Sequence, residues 1–139
     1  MLRISDALTL ADWEMTESFS HSSGPGGQNV NKVETAVELR FEAERSPHLT
    51  PAVKNRLKRI SGRRWTGEGA IVIRAEETRS QQGNREIARK RLAEMIRQAL
   101  VAPKRRIATR PTLCSQRRRL EAKTARGQVK SLRGKPQED

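Results

Sequence analysis

An α+β fold, a small β-sheet with helices packed on it in β-β-α-β-α order, is what this sequence predicts, and three observations predict it. Residues 33–41 alternate apolar and polar side chains, the period of a half-buried strand. Two later segments, beginning at Pro51 and near Asn84, repeat apolar residues at helical spacing. Between them lies a short β-rich run, Ala70-Ile71-Val72-Ile73-Arg74-Ala75. About 100 residues suffice for such a two-layer unit.

The elements follow in chain order. Met15 to Ser20 reads as a strand with Met15, Glu17 and Phe19 on one face, the glutamate breaking the apolar pattern. In the second strand Val33, Thr35, Val37, Leu39 and Phe41 line one face, and Glu34, Glu38 and Arg40 the other. Both phenylalanines are expected in the core. The two strands form a hairpin joined through residues 22–32, about eleven residues where two to five are usual, and long loops of this kind are often functional. Thr50 then caps a helix that has Pro51 at its first position. Val53, Leu57 and Ile60 form its stripe, and Ser61-Gly62 ends it. After Gly67-Glu68-Gly69 comes the third strand. Asn84 is expected to cap a second helix with Ala88, Leu92, Met95, Ile96 and Ala99 as its apolar stripe, closed by Pro103.

Charge divides the chain. The 139 residues carry 29 Lys/Arg and 16 Asp/Glu, a formal net charge of +13, which points to a polyanionic partner. Residues 1–102 hold 17 cations against 13 acids, whereas residues 103–139 hold 12 against 3. The reading is therefore a globular domain at 1–102, a linker at 103–114 and a basic tail at 115–139. Leu113, Leu120, Val129 and Leu132 are nearly the tail's only apolar residues, so it is expected to be disordered when free and helical when bound. Arg117, Arg118, Arg119, Lys123, Arg126, Lys130 and Arg133 would then cover several faces of that helix, which suits a channel walled by phosphates better than a flat groove. Such contacts are sequence-independent.

Several chemistries are excluded. The single cysteine, Cys114, rules out an internal disulfide and a Cys-based zinc site, and fits a reducing compartment. It has no neighbouring base to make it a nucleophile. His21 and His48, the only histidines, lack a second ligand at metal spacing. Lys32 follows a glycine loop, but Asn31 stands where a phosphate loop needs glycine and no Ser or Thr follows. Glu76 and Glu77 are adjacent and read as a solvated pair. Trp13, Phe19, Phe41 and Trp65 are too few for base stacking. No cofactor is expected. With no apolar window near 18 residues and no transit-peptide pattern, a soluble cytoplasmic monomer is expected.

The remaining signal is the loop itself, Ser22-Ser23-Gly24-Pro25-Gly26-Gly27-Gln28-Asn29-Val30-Asn31-Lys32. Three glycines in four positions permit close approach to another molecule, and the loop offers a backbone N–H but no strong base. Such a loop suits charge stabilisation in a site that another molecule completes. The run and its following strand, Thr35 to Phe41, resemble the catalytic domain of class I peptide-chain release factors. Thr109-Arg110-Pro111-Thr112, Arg118-Arg119-Leu120, Ala122-Lys123, Val129-Lys130 and Leu132-Arg133-Gly134-Lys135 resemble the tail of that family's ribosome-rescue peptidyl-tRNA hydrolases.

The resemblance implies the release-factor catalytic-domain fold, no separate decoding domain, and stop-codon-independent hydrolysis of peptidyl-tRNA on stalled ribosomes. It implies catalysis by Gly26, Gly27 and Gln28 in the peptidyl-transferase centre, with the Gln28 backbone N–H facing the oxyanion. It also places Arg110, Arg118, Arg119, Lys123, Arg126, Lys130 and Arg133 against ribosomal RNA in the vacant mRNA-entrance channel. A non-catalytic RNA-binding protein is the rival reading; it leaves Gly26-Gly27-Gln28 without a use. A DNA-binding protein also fits the charge and leaves the loop unexplained.

Overall fold

The computed structural model describes residues 1–24 and 33–134. They form two compact units, Met1–Pro103 and a C-terminal unit from Lys104. The first unit opens with a ribbon that the periodicity does not reveal, β1 (Leu2–Arg3) paired antiparallel with β2 (Thr9–Leu10). Two-residue strands leave no alternation to read. A 3-10 turn at Asp12–Glu14 leads into β3 (Met15–Ser20). Next come β4 (Ala36–Phe41), α1 (Pro51–Ser61), β5 (Ile71–Ala75) and α2 (Gln81–Leu100). The expected β-β-α-β-α order stands, with the ribbon added in front.

The three-stranded sheet is antiparallel throughout, in the order β3-β4-β5. Register places Met15, Phe41 and Ile71 side by side, then Glu17, Leu39 and Ile73, then Phe19, Val37 and Ala75. That face is covered by α2, which packs on β4 and β5, while α1 packs on α2. The opposite face carries Thr16, Ser18, Glu38, Arg40 and Arg74 and is polar. Leu39, Phe41, Ile71, Ile73, Leu57, Leu92 and Ile96 are fully buried between the layers. Each such side chain contributes roughly 1.5–3 kcal/mol through removal from water.

Local chemistry sets the element ends. Thr50 Oγ1 accepts from Val53 N at 3.4 Å, and Pro51 starts α1. Gly62 stops it with φ of 52°, a left-handed backbone that a side chain resists. Gly69 (φ 83°) also has no room: a Cβ there would lie 2.5 Å from Glu44 Cβ.

Four expectations are corrected. Val33, expected on the apolar face of the second strand, lies before β4 and is 51% exposed. Ile60 is 39% exposed, its place at the edge of the stripe being taken by the buried Ser61. Phe19 is likewise 39% exposed, because it lies at the end of edge strand β3 where little covers it. Asn84 is not a cap. Ser80 caps α2, its side chain accepting from Gly83 N at 3.3 Å, and Asn84 lies buried inside the first turn.

In the C-terminal unit the expected disorder gives way to a helix, α3 (Leu113–Ser131). Thr112 caps it, with Oγ1 accepting from Ser115 N at 3.2 Å. Proline-free good helix formers continue it, and every described side chain from Lys104 onward is exposed. The helix therefore rests on propensity and capping, with no core of its own.

Buried charge is handled locally. The Glu14 carboxylate is fully buried. Its Oε2 accepts from Ala11 N at 2.6 Å, and its Oε1 lies against Ser46 Oγ and 3.1 Å from His48 Nδ1. Burial pushes its pKa up, but the hydrogen bonds from Ser46, His48 and Ala11 outweigh that and hold it below the ordinary glutamate value. A depressed folded-state pKa means the unfolded chain takes up the proton first. Glu14 therefore stabilises the fold above the ordinary glutamate value, and this contribution is lost as pH falls through the lower folded value. Glu14→Gln is expected to cost about 1–3 kcal/mol at neutral pH and to flatten the loss of stability in acid. Urea unfolding at a series of pH values checks both; an unchanged acid limb would contradict the assignment.

Candidate functional site

The β3–β4 ladder brings the two ends of the glycine loop together, since Ser20 pairs with Ala36. Gly26, Gly27 and Gln28 lie outside the described residues; their stems do not. On the leading stem, Ser23 donates to Glu76 twice, from its backbone N to Oε2 at 3.2 Å and from Oγ to Oε1 at 2.9 Å. Arg74 holds the same carboxylate at 3.2 Å. The Ser23 bonds, backbone first, and then Arg74 hold the Glu76 pKa below the ordinary glutamate value. Thr35 Oγ1 bridges the stems by donating to Ser22 Oγ at 3.3 Å.

On the returning stem, the backbone itself is held. Asn84 Nδ2 donates to Thr35 O at 2.7 Å and to Thr78 O at 3.0 Å, while its Oδ1 accepts from Thr78 N and Thr78 Oγ1, both at 2.9 Å. Gln81 Nε2 donates to Glu34 O at 2.9 Å. One buried amide thus ties the start of α2, the β5–α2 connection and the loop's exit into one unit. Glu17 extends the tie on the sheet side. Its Oε1 accepts from Arg89 Nε at 2.7 Å, and Arg85 Nε lies 2.5 Å from Oε2 as an ion pair off the hydrogen-bonding direction. The break in the β3 pattern is therefore an anchor for α2.

The sequence reading misses Ser23, Thr35, Glu76, Gln81 and Asn84 as loop supports. Glu76 is no free solvated acid, and Glu77 is likewise engaged, by Arg91. Their signal is faint, because acids and amides near a helix start are ordinary cap chemistry. A shallow polar cleft lined by Met1, Asp12, Met15, Glu17, Arg85 and Arg89 is a poor ligand site, since Glu17 already engages both arginines. Among the described residues no cluster of His, Cys, Asp and Glu has the make-up of a metal site, and no helix is long and apolar enough to cross a membrane.

In the C-terminal unit, Arg110 precedes α3, Arg118, Arg119, Lys123, Arg126 and Lys130 lie on it, and Arg133 follows it, all exposed. The helical register refines the expected distribution. Arg119, Lys123, Arg126 and Lys130 recur at i, i+4, i+7 and i+11 and share one stripe, whereas Arg117 and Arg118 point to other sides. Cys114 is free and exposed in the first turn.

If Asn84 acts through its hydrogen bonds, Asn84→Ala should destabilise the first unit by about 2–3 kcal/mol, as buried carbonyl and N–H groups lose their partner. Asn84→Asp, close in volume but lacking the two donors, should do no better. Denaturant melts of the three proteins check this; an Asp variant near wild type would show that only packing matters.

Comparison with known proteins agrees across both units. The RF-1 domain family matches residues 3–133. Over 135 residues the chain is 45% identical to Peptidyl-tRNA hydrolase ArfB of Pseudomonas putida, covering 97% of this chain and 98% of that one. It is 32% identical over 87 residues to the large ribosomal subunit protein mL62 of Mus musculus, covering 63% of this chain and 42% of that one. With Peptide chain release factor 1 of Leuconostoc citreum it shares 36% over 87 residues, covering 63% of this chain and 17% of the factor. With the sheet, α2 packed on it and α1 on α2, the supported loop stems and the basic helix in place, this chain belongs to the RF-1 domain family.

Proposed function

We propose that this chain is a ribosome-dependent peptidyl-tRNA hydrolase that needs no stop codon and frees ribosomes stalled on mRNA lacking one. The observation that carries this reading is the likeness to Peptidyl-tRNA hydrolase ArfB over nearly the full length of both chains, which takes in the glycine loop and the basic arm alike. The residues present suit the reaction. Water attacks the ester carbonyl that joins the peptide to the tRNA 3′-terminal ribose. The carbonyl oxygen takes up negative charge, the C–O bond to the ribose breaks, and the products are a free peptide carboxylate and a tRNA hydroxyl. Gly26 and Gly27 allow close approach, and the Gln28 backbone N–H donates to the oxyanion. The remaining catalytic groups come from ribosomal RNA and tRNA in the peptidyl-transferase centre, so the chain needs no base, nucleophile or cofactor of its own.

The arm supplies placement. Arg110, Arg118, Arg119, Lys123, Arg126, Lys130 and Arg133 contact ribosomal RNA in the mRNA-entrance channel, which is open only when no mRNA extends through it. The globular domain at 1–102 and the tail at 115–139, joined by a linker at 103–114, therefore do separate work. The protein acts in the cytoplasm as a monomer.

The test is release of labelled peptide from ribosomes stalled on mRNA without a stop codon, with free peptidyl-tRNA as a second substrate. Wild type should release peptide on ribosomes only. Gly27→Ala should lose on the order of 100- to 1000-fold in rate, the range for an oxyanion donor, while still binding. Ribosome binding without release by wild type would favour a non-catalytic RNA-binding protein. Truncation after Ala102 should abolish release on ribosomes yet leave cooperative unfolding intact, because the described arm buries no residue; a truncated form without a cooperative transition would contradict the division.

A further inference from the structure

The positive excess of the first unit is concentrated in one stretch. Residues 45–67 contain seven Lys/Arg and no acid, whereas the other 79 residues of 1–102 contain ten cations and thirteen acids. Lys58, Arg59, Arg63 and Arg64 are exposed at the end of α1 and in the 3-10 turn at Gly62–Arg64. Among the described residues none of the four reaches a carboxylate. Arg3, Arg40, Arg74, Arg85, Arg89 and Arg91, elsewhere on the unit, each meet at least one, and the cations there that meet none among the described residues, such as Arg79 and Lys90, are scattered. Basic residues in the last turn of a helix favour the helix dipole, which accounts for Lys58 and Arg59. It does not account for Arg63 and Arg64, which lie beyond the helix. Gly62 turns the chain there, and Lys58 Nζ sits 5.9 Å from the Trp65 ring centroid, so the four cations belong to one short corner of the fold.

We infer that this corner is a second RNA-phosphate-binding surface, separate from the basic arm and used when the first unit docks on ribosomal RNA. The inference rests on the ribosomal function proposed for the chain. Four cations on one corner with no carboxylate among the described residues repel each other, and the helix dipole and the Trp65 ring favour only Lys58 and Arg59, whereas phosphates neutralise all four. Two adjacent arginines offer planar forks matched to phosphate oxygens. Sequence-independent contacts of this kind suit a domain that must be seated accurately without reading bases.

The experiment measures binding of the full chain to stalled ribosomes between about 50 and 200 mM salt, with peptide release recorded in parallel. Removing one arginine–phosphate pair lowers the slope of log affinity against log salt by about 0.7–0.9. Arg63→Gln/Arg64→Gln should therefore flatten the slope by about 1.5, and Arg63→Lys/Arg64→Lys should restore most of it. Arg79→Gln/Lys90→Gln removes the same charge elsewhere on the unit and should leave the slope near wild type. Arg59→Gln provides a second variant in the corner, with half the effect. Equal flattening by the corner and control pairs would overturn the inference in favour of diffuse charge. Weaker binding at unchanged slope would overturn it in favour of a protein contact. A wild type that neither binds nor releases would instead bring down the ribosomal reading, which separates the two failures.

Discussion

Strand β4 is hydrogen-bonded on both edges, and that constraint organises the first unit. Its pairing with β3 closes the glycine loop at Ser20 and Ala36, and its pairing with β5 sets the floor on which α2 lies. A one-residue slip would turn Val37, Leu39 and Phe41 out of the core and bring Glu38 and Arg40 in. The alternation that makes β4 a strand therefore also fixes where the loop begins and ends. Fold and loop placement are one property.

Hydrophobic burial alone does not hold the loop's stems. The chain has two phenylalanines, two tryptophans and no tyrosine, and Trp13 and Phe19 are 64% and 39% exposed. With so few large side chains in the core, polar groups, buried (Glu14, Asn84) or half-buried (Glu17), take over the joints. Glu14 fastens the turn before β3 to the segment after β4, Glu17 fastens β3 to α2, and Asn84 fastens α2 to the loop's exit. Each is paired with partners of opposite charge or complementary hydrogen-bonding type, the condition under which buried polar groups are tolerated. Apolar contacts hold the layers together without direction, whereas hydrogen bonds to Glu34 O and Thr35 O fix the backbone itself. For the role proposed for the Gln28 backbone N–H, the second kind of support matters more.

The sequence is legible where chemistry repeats and obscure where it occurs once. The alternation of β4, the Thr50-Pro51 start of α1 and the stripe of α2 each rest on several residues saying the same thing, and all three are present in the fold. The ribbon β1–β2 has two residues per strand, too few for a pattern. Asn84 reads as a cap because a capping amide and a buried bridging amide look alike in one dimension; only Thr35, 49 residues away, tells them apart. Glu17 looks like an error in a strand until Arg85 and Arg89, on another element, supply its partners. The loop motif is the most visible feature of the sequence, since three glycines within four residues stand out in one dimension, while the residues that support its stems are the least visible.

Charge follows the same division between fold and partner. Where the fold uses arginine it pairs it, and the pairs tie elements: Arg89 with Glu17, Arg40 with Glu42 and Glu68, Arg91 with Glu77. Where the sequence places cations without acids, in residues 45–67 and in the arm, Arg56 and Lys54 bond the backbone carbonyls of Ala99 and Glu44, while most of the other side chains stand exposed. Exposed like charges close together are a cost to an isolated protein, and a chain with no polyanion to meet gains nothing by keeping them. They fall in two stretches, one in the first unit and one in the arm, and phosphates of the ribosomal RNA proposed as partner would neutralise both. On the proposed function, the tail supplies affinity and the corner at residues 58–64 supplies further contacts from the first unit itself. On the same proposal, contacts at that corner restrict the orientation of the first unit, which is what the role proposed for the Gln28 backbone N–H needs.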